Sequence, residues 1–368
     1  MVEEKEWIYR IALRMLPGLG DVTSRKLIEH FGNAEAVFTA KKKDFAEMGG
    51  INGKIAGLIS PHSVIPRAEE EWRFVQKHKI EPFFYTDAKY PVRLRQCPDN
   101  PLMLFFKGNC DLNARHIVSV VGTRQATSRG KQICNSIIDG LAAYGVVVMS
   151  GLAYGIDTCA HRAAVNKNLP TVAVLGHGLD RIYPQQNAKL AKQIIKNGGL
   201  LTEFFSGSLP DRENFPKRNR IIAGICDAVI VVEAAKKGGA LITADIAASY
   251  SRDVFAVPGR WDDEFSVGCN GLIKQNKAAL IQSAEDVLYI MGWDRKKEQT
   301  KGIQTRLFEQ MGEKEQLIYS VLLEHGTAGI DWICHTSGLS GSIVASVLLN
   351  MEFDGMIRVL PGKLYALS

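Results

Sequence analysis

Between residues 80 and 290 the chain alternates short, nearly unbroken apolar runs with longer amphipathic stretches. The runs are Ile117-Val118-Ser119-Val120-Val121, Gly145-Val146-Val147-Val148-Met149, Thr171-Val172-Ala173-Val174-Leu175, Ala228-Val229-Ile230-Val231-Val232 and Val254-Phe255-Ala256-Val257. Apolar residues at nearly every position, rather than every second one, predict strands buried on both faces. Such strands alternating with helical stretches predict a doubly wound parallel sheet, an extended Rossmann-like α/β fold. Most of the runs end in or beside glycine, at Gly122, Gly151, Gly176 and Gly259. Sheets of this kind bind ligands at the carboxyl ends of their strands, beside the switch in strand order. Those glycine loops are therefore where a site is expected.

The flanks pattern differently. Residues 1–75 place apolar positions at helical spacing between glycine turns. Leu16-Pro17-Gly18-Leu19-Gly20 precedes a helical run that opens with Asp21, a residue suited to cap it. Helix, glycine turn and helix resemble the helix-hairpin-helix (SAM-like) arrangement, whose turn N–H groups touch DNA phosphates without reading sequence. A weaker copy falls at 48–56. A helical packing module with glycines only at its turns accounts for the pattern equally well. Residues 291–312 read as a polar linker, and 313–368 as three helices followed by a hairpin with Pro361-Gly362 at its turn, a winged-helix module. The helix expected at 340–350 has no Lys or Arg, which favours packing or protein contact over DNA reading.

Composition narrows the function classes. A chain of 368 residues, 46% hydrophobic and 23% charged, is globular and long enough for several domains. A net charge of +6 permits a polyanionic partner without demanding one. Seven cysteines stand singly with no CxxC pair, which argues against a zinc site or disulfide framework and fits a reducing cytosol. The acidic N-terminus is no signal peptide, and no apolar run is long enough to span a bilayer. The loop after the first strand, Gly122-Thr123-Arg124-Gln125-Ala126-Thr127, lacks the G-x-G-x-x-G fingerprint, and no GxxxxGK[ST] occurs. Neither a dinucleotide nor an ATP cofactor is expected.

The strand ends and one helix start carry cations instead. Asn214-Phe215-Pro216-Lys217-Arg218-Asn219-Arg220 runs directly into an apolar helical segment. Lys and Arg supply charge, first-turn N–H groups supply donors, and both suit phosphate. Phe215 adds a surface on which a base can stack. Arg124 follows Gly122 and Thr123 at a strand end, where Gly122 admits close approach of an oxyanion. Asp157 and His161 stand i, i+4 on a predicted helix, the spacing of an acid–base pair or half a metal site. Without a second ligand cluster the favoured reading is a side-chain pair that steadies the helix. His177 and Asp180 read as hydrogen-bonding residues that hold their loop. No catalytic and no metal-binding residue is assigned.

Taken in order, six stretches resemble the DNA-processing protein A (DprA/Smf) family. They are Val121-Gly122-Thr123-Arg124, Ser150-Gly151-Leu152-Ala153-Tyr154-Gly155-Ile156-Asp157, Gly178-Leu179-Asp180 with Tyr183-Pro184, Phe215 through Gly224, Gly239-Ala240-Leu241-Ile242-Thr243-Ala244, and Val257-Pro258-Gly259. Each is weak alone; the ordered set is specific. The resemblance implies a non-enzymatic binder of single-stranded DNA that loads the RecA recombinase and protects incoming DNA during natural transformation. It further implies a cytoplasmic homodimer that takes DNA over from single-strand-binding protein. It places DNA contact on Gly122, Thr123, Arg124 and Gly151, and on Phe215, Lys217, Arg218, Asn219 and Arg220. The family's Ser-Gly-Ser-Leu-Ile-Thr stretch is Gly238-Gly239-Ala240-Leu241-Ile242-Thr243 here, two hydroxyls fewer. The alternative reading is a nucleotide-processing enzyme of the lysine-decarboxylase-like phosphoribohydrolase class. Its Pro-Gly-Gly-x-Gly-Thr loop has only an echo in Lys237-Gly238-Gly239-Ala240-Leu241-Ile242-Thr243-Ala244, without the Glu that follows it.

Overall fold

The computed structural model describes residues 4–46, 59, 61–293, 311–360 and 364–367. The second helix-turn copy at 48–56, most of the 291–312 linker and the Pro361-Gly362 turn lie outside the described residues. The chain divides into two compact units, Met1–Trp293 and Asp294–Ser368.

A nine-stranded sheet organises the first unit. Its strands are β1 (Glu81–Phe84), β2 (Met103–Gly108), β3 (Ile117–Val121), β4 (Val147–Ser150), β5 (Thr171–Val174), β6 (Gly198–Thr202), β7 (Ala228–Val231), β8 (Asp253–Ala256) and β9 (Ala279–Leu280). They lie in the order β1-β2-β6-β5-β4-β3-β7-β8-β9. From β6 to β9 all neighbours are parallel, and β2 and β1 extend the sheet antiparallel. The chain steps outward from β3 through β4, β5 and β6, then opens the other half at β7. The switch in strand order thus lies between β3 and β7. Every residue of β3, β4, β5, β6 and β7 is buried, the physical reason for the apolar runs that mark β3, β4, β5 and β7.

Alternate residues of β3 feed two cores. Ile117 and Val121 pack with Ile221, Ala244 and Leu272, from helices Asn214–Gly224, Gly239–Ser249 and Val267–Lys274. Val118 and Val120 pack with Ile137, Ala160 and Val287, from helices Ser128–Leu141, Ile156–Asn166 and Ala284–Ile290. The sheet is covered on both faces, as a doubly wound fold requires.

The N-terminal helices Glu4–Met15, Asp21–Phe31, Ala34–Thr39, Lys42–Ala46 and Pro61–Lys77 belong to the same unit. Ile11, Leu13, Leu27 and Val37 pack with Phe84, Met103 and Phe105 of the antiparallel edge. Asp21 does not cap its helix. Gly20 is the cap residue, and the Asp21 carboxylate lies 2.9 Å from Arg14 Nε and 3.0 Å from Arg220 Nη2.

In the second unit, helices Glu313–His325, Ile330–Ser337 and Gly341–Phe353 enclose Ile318, Leu322, Ile333, Val344, Leu348 and Met351. Strands β10 (Thr327–Gly329), β11 (Ile357–Leu360) and β12 (Leu364–Leu367) form an antiparallel sheet in the order β10-β12-β11. Three helices and a wing make this a winged helix. Its third helix, GSIVASVLLNMEF, carries no cation. Among the described residues no single helix is long and apolar enough to cross a membrane.

Candidate nucleic-acid interface

A cleft of about 660 Å³ opens at the carboxyl ends of β3 and β7, the switch point of the sheet. Gly122, Thr123 and Arg124 form one wall. Phe215, Arg218 and Asn219 enter from helix Asn214–Gly224, and Gly238, Gly239 and Ala240 from the start of helix Gly239–Ser249. Two helix N-termini therefore border one space, and their partial positive charge favours an anion there.

The loop that carries Arg124 is clamped by backbone contacts. The Thr123 N–H donates to the Glu233 carbonyl at 2.7 Å, and the Ile156 N–H donates to the Thr123 carbonyl at 3.1 Å. The Gln125 N–H donates to Thr123 Oγ1 at 3.1 Å. A Cβ on Gly155, where φ is +78°, would lie 2.1 Å from the Thr123 carbonyl oxygen, so only glycine allows this approach. The buried Glu233 carboxylate accepts from Thr127 N–H at 3.0 Å and from Thr127 Oγ1 at 2.5 Å, fixing the far end of the loop. Arg124 is left exposed on a rigid mount. Its guanidinium carbon lies 5.4 Å from the Phe215 ring centroid, and that of Arg218 lies 5.9 Å away. Tyr183 stands beside the ring, centroids 6.2 Å apart.

Arg218 is built into the floor and is only 4% exposed. Its Nη1 donates to the Gly151 carbonyl at 2.7 Å and to the Val174 carbonyl, and its Nε donates to Asn219 Oδ1 at 3.2 Å. Asn219 Nδ2 in turn reaches the Gly239 carbonyl at 3.4 Å. A Cβ on Gly151 would lie 2.2 Å from Arg218 Nη1. Gly151 thus serves the site by making room for a cation. Burial lowers the Arg218 pKa to about 10 against the opposing pull of Asp157, so the group stays charged at neutral pH. Burial raises the Asp157 pKa, with Arg218 opposing.

The remaining expected contacts divide. Lys217 is exposed but does not line the cleft. Arg220 faces away altogether. Its Nη2 lies 2.5 Å from Glu203 and 3.0 Å from Asp21, and its Nη1 donates to the Asp99 carbonyl. Burial disfavours its charge, but Glu203 and Asp21 outweigh that and raise its pKa. Arg220 joins the sheet domain to the N-terminal helices; residues two apart on a helix do not share a face, and Arg218 takes the cleft side. Two cations outside the motif positions, Arg212 and Lys237, do line the cleft. Both lie in loops, Arg212 three residues before Phe215 and Lys237 just before Gly238-Gly239. Four cations, Arg124, Arg212, Arg218 and Lys237, therefore stand against two carboxylates, Asp157 and Glu264.

Asp157 and His161 do not act as a pair. Asp157 accepts from the Ala153 N–H at 3.4 Å, whereas His161 Nδ1 lies 2.8 Å from Thr171 Oγ1. His177 and Asp180 hold their loop. His177 Nδ1 lies 2.9 Å from the Gly178 carbonyl, its Nε2 accepts from the Tyr183 N–H at 3.2 Å, and Asp180 accepts from the Gly207 N–H at 3.1 Å. The cleft is a rigid, positively charged, partly aromatic trough, suited to a chain of phosphates.

The family model described as DNA recombination-mediator protein A matches residues 81–292, and that of the DprA winged helix domain matches 297–363. Protein Smf of Synechocystis sp. is 33% identical over 98% of this chain and 98% of its own length. The X-ray structure of DNA processing protein A from Streptococcus pneumoniae is 35% identical, with a TM-score of 0.64 over 78% of this chain and 98% of that one. DNA processing protein A from Helicobacter pylori, solved for its single-stranded DNA binding mode, is 28% identical, with a TM-score of 0.53 over 59% of this chain and 97% of that one.

Proposed function

The chain belongs to the DNA recombination-mediator protein A family, and from that premise we propose that it is a recombination mediator that binds single-stranded DNA in the cleft at the β3/β7 switch. The observation that carries this reading is Arg124, exposed on a clamped loop, poised over Phe215 and backed by the buried cation Arg218. A phosphate in the cleft meets the Arg124 donors and the backbone of Gly122 and Thr123. Arg212 and Lys237 take its neighbours along the strand, and Lys217 and Asn219 extend or support the wall. Phosphates carry no sequence, so binding is sequence-neutral. Single strands are preferred because their exposed bases reach the exposed ring of Tyr183 at the cleft.

In this reading the protein works as a homodimer, takes strands over from single-strand-binding protein, loads RecA onto them, and serves natural transformation in the cytoplasm. It performs no catalysis of its own.

The test is fluorescence anisotropy of a labelled oligothymidylate against wild type and Arg124→Glu at two salt concentrations. Wild type should bind with strong salt dependence and prefer single strands to duplex, and the folded variant should lose most of that affinity. Equal binding by the two would remove the cleft from the reading. Release of free base from a nucleoside monophosphate would favour the nucleotide-processing enzyme instead. RecA loading is tested separately, by whether the protein shortens the lag of RecA filament growth on strands coated with single-strand-binding protein.

A further inference from the structure

We propose that the bound strand does not end in the switch-point cleft but leaves it past Arg124. It then continues along a second groove between helices Ser128–Leu141 and Ile156–Asn166. This rests on the reading of the cleft as a single-strand site and adds the direction in which the strand runs.

The groove holds about 750 Å³ and shares Arg124 and Gln125 with the cleft, so the two are continuous at the residue best placed to grip a phosphate. Lys131 and Arg162 stand on its two helices, both exposed, and among the described residues neither has an ion-pair partner. Among the described residues no carboxylate lines it. The acid on the nearer helix, Asp139, is paired with Lys167 at 3.2 Å. Tyr154 lines the groove and is 44% exposed, with its hydroxyl donating to Gln186 Oε1 at 2.7 Å. That bond holds the polar end of the ring and leaves an aromatic surface beside the cations. Unpaired cations tracking one direction with an aromatic among them are what a sequence-tolerant single-strand track requires.

A neighbouring groove is less suitable. This groove, of about 530 Å³, shares no lining residue with the cleft and also holds two cations, Arg129 and Arg260. Three carboxylates, Glu233, Asp262 and Asp263, line it too, and Arg260 is paired with Asp262 at 3.1 Å. A polyanion entering there meets net negative charge. Past Arg124 the charged residues that line its path, among those described, are all cations.

A natural probe stands in the proposed track. Cys159 lines it, half-buried, with its Sγ 3.3 Å from Asn135 Oδ1. The experiment uses the full chain and two oligothymidylates of about 8 and about 16 nucleotides, within the range of site sizes of single-strand grooves. Affinity is measured for wild type, Lys131→Glu/Arg162→Glu and Arg124→Glu, with thermal melts to verify folding. Alkylation of Cys159 is followed by peptide mass spectrometry with and without each oligonucleotide. The double variant should lose about tenfold or more in affinity for the longer strand while keeping the shorter one. Its salt slope for the longer strand should fall by about 1.4, two phosphate contacts on a single strand. The longer strand should slow Cys159 alkylation, and the shorter should not.

The proposal is overturned if the double variant binds the longer strand like wild type, or if Cys159 reacts equally fast with and without it. The cleft reading survives that outcome as long as the short strand still binds in an Arg124-dependent way. If wild type binds neither strand, both fall. Protection of Cys159 by an acidic peptide but not by DNA would assign the groove to a protein partner and overturn the track.

Discussion

Arg124 reaches over the ring of Phe215, its guanidinium carbon 5.4 Å from the centroid, so that a strand-end loop and a helix start meet across the sheet's switch point. A guanidinium over an aromatic face uses its flat side and keeps its edge N–H donors for an anion. The ring therefore steadies the cation without consuming it. Phe215→Leu, which keeps apolar bulk but loses the ring's quadrupole, should weaken oligothymidylate binding by about 0.5–1 kcal/mol, a few-fold. Arg124→Gln removes charge-assisted bonds and should cost about 1.5–3 kcal/mol. Anisotropy titrations at one salt concentration compare the two. If Phe215→Leu proves as damaging as Arg124→Gln, the ring is stacking a base, an interaction worth about 1–3 kcal/mol, rather than only orienting the cation.

Gly151 tests the floor of the cleft. Arg218 lies so close over it that a methyl group would sit 2.2 Å from Nη1. In Gly151→Ala the guanidinium must leave its bonds to the Gly151 and Val174 carbonyls, or the strand end must shift. Overpacking of this kind costs about 1–3 kcal/mol in stability. DNA affinity should fall alongside, because the floor loses its fixed cation. Denaturant titration and anisotropy on the same sample measure both. Full affinity in a folded Gly151→Ala would show that the Arg218 pose is not needed for binding.

The parts of this architecture legible in the sequence are those set locally. The 117–121 run coincides with β3 because a strand covered on both faces must be apolar throughout. β6 hides because it opens with Gly198-Gly199. A Cβ on Gly198 would lie 1.9 Å from the Thr171 carbonyl oxygen, and one on Gly199 2.2 Å from the Phe106 ring, so strand packing excludes the residues that signal a strand. In the site, Gly122, Thr123 and Arg124 are legible because a strand end fixes where its loop emerges. The sequence groups Arg218 with Arg220, but helix geometry sends them to opposite tasks. Arg212 and Lys237 reach the cleft along loop paths that only the tertiary structure sets.

Arg220 should matter to folding more than to DNA. With Arg14 it neutralises Glu203 and Asp21, and Glu203 is only 2% exposed. Arg220→Ala leaves buried carboxylate charge uncompensated, a loss of about 3–5 kcal/mol. Adding Glu203→Gln should return part of it, since the second change removes the stranded charge. Urea unfolding of both variants gives the comparison. Oligonucleotide affinity measured well below the transition should stay near wild type. A large affinity loss in folded Arg220→Ala would place the side chain at the DNA after all.

His161 gives the fold a pH dependence whose sign is fixed. It is fully buried, and burial lowers its pKa from 6.5 to about 3. The Thr171 hydroxyl donates to the Val148 carbonyl at 2.8 Å, so it accepts from His161 Nδ1–H, which fixes the neutral tautomer. Between pH 6.5 and about 3 the unfolded chain binds a proton at this residue that the folded chain does not. Stability from this group is therefore complete above pH 6.5 and declines as pH falls through that window, by up to about 1.4 kcal/mol per unit. His161→Gln keeps a polar partner for Thr171 but cannot take up the proton. At neutral pH the variant should be the less stable of the two, because its packing is disturbed. As pH is lowered toward about 4 the gap should narrow, since only wild type pays the protonation penalty. Parallel curves for the two proteins in urea unfolding across that range would show that His161 titrates normally, and that its burial does not hold it neutral.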